Sequence, residues 1–245
     1  MPLLNRRQLS RRGTLRLLDN LETAPGLAFS AYVPPGSPLP RTEGMPGDPG
    51  GPLPDLEKAV AGSPTGAVLF WGEPHRYLVL PPFPLREGRV SQGYDVGPLR
   101  AFLNRDLTIA LILVRLSAYA IGVFQGEKLL SSKVGTGHVH SRHKKGGSSQ
   151  RRFERGREKQ MEYFFQRICI RVREQLEPHT RRLDYVVYGG ERGTLLSFRQ
   201  QCHFLGAFDQ RTSGWLLNVR QPRQASLEAA IGEAWSSRVV QWHES

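Results

Sequence analysis

The chain is poor in cysteine. Its 245 residues include two, Cys169 and Cys202, too few for a disulfide-stapled scaffold or a four-cysteine zinc site, and both read as reduced, buried small hydrophobes. A long uninterrupted apolar run is also missing. The longest stretch, Leu107–Phe124, is broken by Arg115 and Ser117 and rich in β-branched residues, whereas a membrane span needs about 20 mostly apolar residues. The basic N-terminus (Arg6, Arg7, Arg11, Arg12, Arg16) is not followed by the apolar run and cleavage site of a secretory signal. These absences lead to the expectation of a cytoplasmic protein with no membrane contact. Acids are scarce too: 22 Asp and Glu stand against 34 Lys and Arg, for a net charge of +12. Such an excess favours a polyanionic partner but says nothing of fold.

The excess is local. Lys133–Arg182 holds fourteen Lys and Arg against five Glu, so nine of the twelve net charges lie within it. A charge serving only solubility would be spread out.

Hydrophobic patterning predicts the elements. Arg7–Leu21 reads as a short amphipathic helix and Leu27–Val33 as a strand. Pro34–Pro54 is dense in Pro and Gly and too polar to pack, which reads as a mobile loop. Leu56–Ala61 reads as a turn or two of helix, and Ala67–Trp71 with Tyr77–Leu80 as a strand pair. Leu107–Val114, Tyr119–Phe124 and Lys128–Val134 read as three successive strands, the last two joined by a tight Gly126-Glu127 hairpin. From about Gln150 to Leu176, Met161, Phe164, Phe165, Ile168, Val172 and Leu176 fall on one face of a 3.6-residue period, and Pro178 lies just past the end. A strand at Asp184–Tyr188, a helix over Gly193–Leu205, a strand at Trp215–Val219, a helix around Leu227–Ala234 and a strand at Val239–Trp242 complete the chain. Strands followed by strand–helix alternation imply an α/β fold with a mixed β-sheet packed with helices. The expected division is an N-terminal extension, residues 1–61, followed by a catalytic domain, residues 62–245.

Between the third central strand and the long helix lies Gly135-Thr-Gly-His-Val-His-Ser-Arg-His-Lys-Lys-Gly-Gly-Ser-Ser-Gln150, with four glycines, three histidines, three cations, no acid and no large hydrophobe. This composition does not build a core; it suits a mobile tip entering a narrow, phosphate-lined space. Arg142, Lys144 and Lys145 can neutralise phosphates, and Gln150 is a lone neutral amide where the helix begins. His138, His140 and His143 have no cysteine near them and are separated by cations that repel a divalent ion, so no metal is expected. Glu154, Glu158 and Glu162 lie at helical spacing to the basic residues after Gln150, so a merely solvated charged face stands beside the reading of an RNA-binding one.

The run His140-Ser-Arg-His-Lys-Lys-Gly-Gly-Ser-Ser-Gln-Arg-Arg-Phe-Glu-Arg-Gly-Arg-Glu-Lys-Gln160 resembles the catalytic loop and following helix of the Vms-like release-factor family. These are peptidyl-tRNA hydrolases related to the middle domain of the archaeal and eukaryotic release factor. The resemblance covers roughly Ala67 to His243 and implies a release-factor middle-domain-like (RNase H-like) core. It implies a catalytic tip made of Gln150, Gly146 and Gly147, although here Ser148-Ser149 separates the glycine pair from the glutamine. It implies RNA contacts by Arg142, His143, Lys144, Lys145, Arg151, Arg152 and Arg155. The implied partners are the large ribosomal subunit at its peptidyl-transferase centre, peptidyl-tRNA and rRNA, engaged by a monomer without cofactors. A tRNA nuclease cutting near the 3′ CCA end and a non-catalytic ribosome-binding factor remain as alternatives.

Overall fold

A computed structural model describes residues 3–40, 54–73, 75–137 and 150–243, with side chains placed within 5–40, 56–73, 75–137 and 154–242. The chain divides into two compact units, Met1–Arg105 with Gly232–Ser245, and Asp106–Ile231. The expected boundary at 61/62 is therefore displaced. Residues before it share one sheet with strands after it, and the C-terminal strand returns to the same sheet.

The first unit contains β1 (Leu3–Leu9), α1 (Arg11–Glu22), β2 (Ala28–Val33), α2 (Pro54–Ala61), β3 (Ala67–Gly72), β4 (Arg76–Leu80), β5 (Arg89–Gln92), α3 (Gly97–Leu103) and β11 (Ser237–His243). Its six strands are all antiparallel, in the order β1-β11-β4-β3-β2-β5. Every residue of β3 is buried because both sheet faces are covered, so a continuous apolar run replaces the in–out alternation of a half-exposed strand. Val68 and Phe70 face a core with Leu17, Leu18 and Leu21 of α1 and Leu99 and Leu103 of α3. Leu69 and Trp71 join the opposite core with Leu56 and Val60 of α2 and Trp242. The helix expected from Arg7 starts at Arg11, where the Ser10 hydroxyl accepts a hydrogen bond from the Gly13 N–H as N-cap. Arg6 and Arg7 instead belong to the edge strand β1.

The second unit carries β6 (Thr108–Arg115), β7 (Ala118–Gln125), β8 (Lys128–Thr136), α4 (Gln150–Leu176), β9 (Leu183–Gly190), α5 (Arg192–Gln201) and β10 (Thr212–Leu217); α6 (Gln224–Ala234) ends across the unit boundary. The sheet order is β10-β9-β6-β7-β8, with β6, β9 and β10 parallel and β6, β7 and β8 antiparallel neighbours, the mixed α/β architecture expected. The β7–β8 hairpin turns at Gly126, whose φ of 59° is left-handed. One sheet face, with Ile112, Val114, Ile121, Val123 and Val186, packs against Phe164, Phe165, Ile168, Val172 and Leu176 of α4 and Leu195 and Phe198 of α5. The apolar stripe of the long helix is thus the core stripe its spacing predicts. The helix expected to reach Leu205 stops at Gln201, and His203–Arg211 follows as a 3-10 segment.

The cysteine reading is corrected. Cys169 on α4 and Cys202 at the C-cap of α5 form a disulfide, with Cα atoms 5.4 Å apart. Packing of both helices on one sheet face brings the thiols within bridging distance, a proximity that 33 residues of separation conceal.

Candidate functional site

In sequence the basic segment connects the end of β8 to the start of α4, and described residues on either side of it contact one another. Gly135 is the cross-strand partner of Tyr119, and a Cβ at Gly135 would collide with the Tyr119 ring. Two residues on, a Cβ at Gly137 would collide with Phe164. Strand backbone therefore lies directly on two buried rings, which stand 6.3 Å apart, and only glycine permits the approach. The Gly137 N–H donates to the Ser117 carbonyl at 2.8 Å. Arg167, one helical turn after Phe164, donates from Nη2 to the Thr136 carbonyl and lies over the Phe164 ring, 5.9 Å from its centroid. The helix that begins at Gln150 thereby clamps the strand that ends at Thr136.

Gln150 is the first residue of α4, a helix of 27 residues. The first N–H groups of a helix have no intrahelical acceptor, and its dipole places partial positive charge at that end. Arg151 and Arg152 lie in the same first turn; like Gln150, they have described backbone and no described side chain. Gly146, Gly147, Arg142, His143, Lys144 and Lys145 lie outside the described residues, as do His138 and His140. Among the described residues, no group of three or more His, Cys, Asp or Glu can hold a metal, and no helix is long and apolar enough to cross a membrane.

Farther along α4 the charges divide into two classes. Toward the C-terminus, Arg171 pairs with Glu174 at 2.8 Å and Arg173 with Glu177 at 3.0 Å. Toward the N-terminus, Arg155 and Lys159 are exposed and form no ion pair among the described residues. Glu162, at helical spacing to both, accepts a hydrogen bond from Gln166. The solvated-face reading thus fits the far end of the helix better than the near end. Arg155, Lys159 and Tyr163 follow at four-residue intervals, one ridge of the helix, and Tyr163 is 76% exposed.

Sequence reasoning therefore located the helix but missed Gly135, Gly137 and Arg167 at the junction, and the exposed Tyr163 on the helix. Two signals were present. A Gly-x-Gly pair closes β8, and Arg167 sits one turn after Phe164 of the core stripe.

A mixed five-stranded sheet with a 27-residue helix packed on it defines the second unit as an α/β domain. The family model of the Actinobacteria/chloroflexi VLRF1 release factor matches residues 107–240, more than half of the chain, and the chain belongs to that family. It is 28% identical over 191 residues to peptide chain release factor subunit 1 of Aeropyrum pernix, covering 65% of this chain and 51% of that protein. The corresponding protein of Thermococcus sibiricus is 33% identical over 94 residues, 38% of this chain and 23% of that one. The chain thus spans about half, or less, of the length of the curated relatives it matches. The crystal structure of an archaeal translation termination factor, aRF1, aligns with 93% of this chain and 73% of its own, at 21% identity and a TM-score of 0.40.

Proposed function

We propose that this protein is a peptidyl-tRNA hydrolase that acts at the ribosome, releasing nascent chains from stalled ribosomes or large subunits. The observation that carries the proposal is the position of Gln150 as the opening residue of α4. It follows the Gly-Gly-Ser-Ser sequence that ends the basic segment and stands on the same helix as the exposed Arg155 and Lys159, five and nine residues further on. Membership of a release-factor family supports it. In this reading Gly146 and Gly147 let the tip approach closely, Gln150 positions the water, and Arg142, His143, Lys144, Lys145, Arg151, Arg152 and Arg155 hold rRNA or the tRNA acceptor end.

The chemistry asks little of the protein. The ester joining peptide to tRNA is already activated, so orienting water and stabilising the tetrahedral oxyanion suffice. The water oxygen attacks the ester carbonyl carbon, the bond to the ribose oxygen breaks, and that oxygen leaves with a proton. The products are a peptide acid and an intact tRNA. Neither a carboxylate pair nor a metal is needed for this step.

Product identity tests the reading. Stalled complexes carrying doubly labelled peptidyl-tRNA are incubated with the protein and both halves are resolved. Free peptide with a full-length CCA end agrees with ester hydrolysis. A tRNA shortened near its 3′ end indicates nuclease action instead, and binding with neither product indicates an anchoring factor. Either of the latter contradicts the proposal.

A further inference from the structure

The first unit contains a solvent-open cavity of about 260 Å³ between β1, α1 and β4. Its floor is apolar: Leu17 and Leu21 of α1 and Tyr77 of β4 line it and are buried. Its rim carries two cations, Arg7 on β1 and Arg16 on α1, beside His75 just before β4, and no carboxylate among the described residues lines it. We infer that this cavity binds a nucleoside monophosphate, with the base on the Leu17–Tyr77 floor and the phosphate held by Arg7 and Arg16.

Three observations support this assignment. First, the rim arginines are not engaged within the protein in the way that Arg11 and Arg100 are. Arg11 donates to the carbonyls of Leu103 and Arg105 and lies 4.1 Å from the centroid of Trp235; Arg100 holds Asp19 and Glu22 at 2.8 and 2.7 Å. Arg7 and Arg16 have no such partner among the described residues, and both are exposed. Second, the aromatic wall is prearranged. The His75 and Tyr77 rings are stacked, 29° apart in plane and 6.2 Å between centroids. The Tyr94 hydroxyl and the Gly72 N–H both donate to the His75 carbonyl, at 2.9 and 3.1 Å, fixing the histidine backbone. A flat base extends such a stack, and base–aromatic stacking contributes about 1–3 kcal/mol per base in single-stranded nucleic-acid sites. Third, the combination selects the ligand. Inorganic phosphate leaves the apolar floor wet, and a neutral apolar ligand leaves two arginines unmatched. The volume is just under the range of about 300–1,000 Å³ usual for small-molecule sites, which favours one nucleotide over a larger cofactor. The exposed Asn20 amide on the rim can hydrogen-bond a base edge.

This site lies outside the family match at 107–240 and does not depend on the hydrolase reading. The nucleotide is either free or one unpaired unit of an RNA strand. The test follows the His75 ring proton resonance of the full-length protein, assigned with H75Q, during titration with AMP, UMP, a five-nucleotide RNA and inorganic phosphate. A saturable shift with nucleotide, weakened at least about tenfold in R7Q/R16Q, is expected; both arginines are exposed, and an unchanged melting temperature verifies the fold of the variant. Saturation by the RNA at much lower concentration than by AMP or UMP identifies a strand as the source, whereas equal affinity identifies the free nucleotide. No saturable shift, a shift unaltered in R7Q/R16Q, or inorganic phosphate binding as tightly as nucleotide overturns the inference.

Discussion

Gly137 lies so close to Phe164 that an added Cβ would stand 2.6 Å from the ring Cε2. Phe164 is buried in the sheet–α4 core, so the end of β8 and the start of the basic segment are located by packing rather than by sequence proximity to Gln150.

G137A is therefore expected to lower stability by about 1–3 kcal/mol, the usual range for overpacking, and to slow peptide release. In F164L the ring is gone, and G137A made in that background should cost less than in the wild type. Chemical denaturation of the four proteins measures the coupling; strictly additive effects contradict the contact.

Arg155, Lys159 and Tyr163 form the exposed ridge of α4, whereas Arg173 is paired with Glu177. R155A/K159A should weaken binding to large ribosomal subunits about tenfold at low salt. Its plot of log affinity against log salt should be shallower by about 0.7–0.9 for each phosphate that the variant leaves unneutralised. R173A should change neither quantity appreciably. Filter binding across a salt series decides between a nucleic-acid face and a solvated one.

The Cys169–Cys202 bridge closes a loop across 33 positions, for which chain entropy gives about 3–4 kcal/mol of stabilisation. Reduction, or C169S/C202S, should lower the denaturation midpoint accordingly, and intact-mass analysis under non-reducing conditions should count no free thiol. Two alkylatable thiols in the folded, unreduced protein would contradict the bridge.

Tyr188 gives a signature at alkaline pH. Burial pushes its phenol up to about 12, partly offset by the Arg199 guanidinium, which lies 4.9 Å from its ring centroid. A phenol that holds its proton more tightly when folded adds stability that is fully present below its ordinary value of 10.0. That stability is lost as pH rises from there through about 12. The loss should be about 2–3 kcal/mol for a shift of this size, and Y188F should lose correspondingly less over the same pH interval, as followed by urea denaturation.

The parts of the molecule legible in the sequence are those with strong periodicity. The stripe from Met161 to Leu176 locates α4 because one face of it is core, and the apolar runs of β3, β6 and β7 mark strands covered on both faces. Elements stabilised mainly by edge pairing were not legible. β1 contains Asn5, Arg6, Arg7 and Gln8, and β5 is largely exposed, so neither shows an apolar pattern. The two-unit division was hidden because β11 completes a sheet begun more than 200 positions earlier, pairing Val240 with Arg6. At the candidate site, composition identified the basic segment, but its supports arise from non-local contacts. Arg167 meets Thr136 and Gly137 meets Phe164 only once α4 packs on the sheet.

The most direct measurement of the central claim is the single-turnover rate of peptide release from stalled large-subunit complexes, at saturating protein, for wild type and Q150A. The proposed role of Gln150 predicts a fall of about 10²–10³ in rate with binding to the complexes unchanged. Full release activity in Q150A would contradict it.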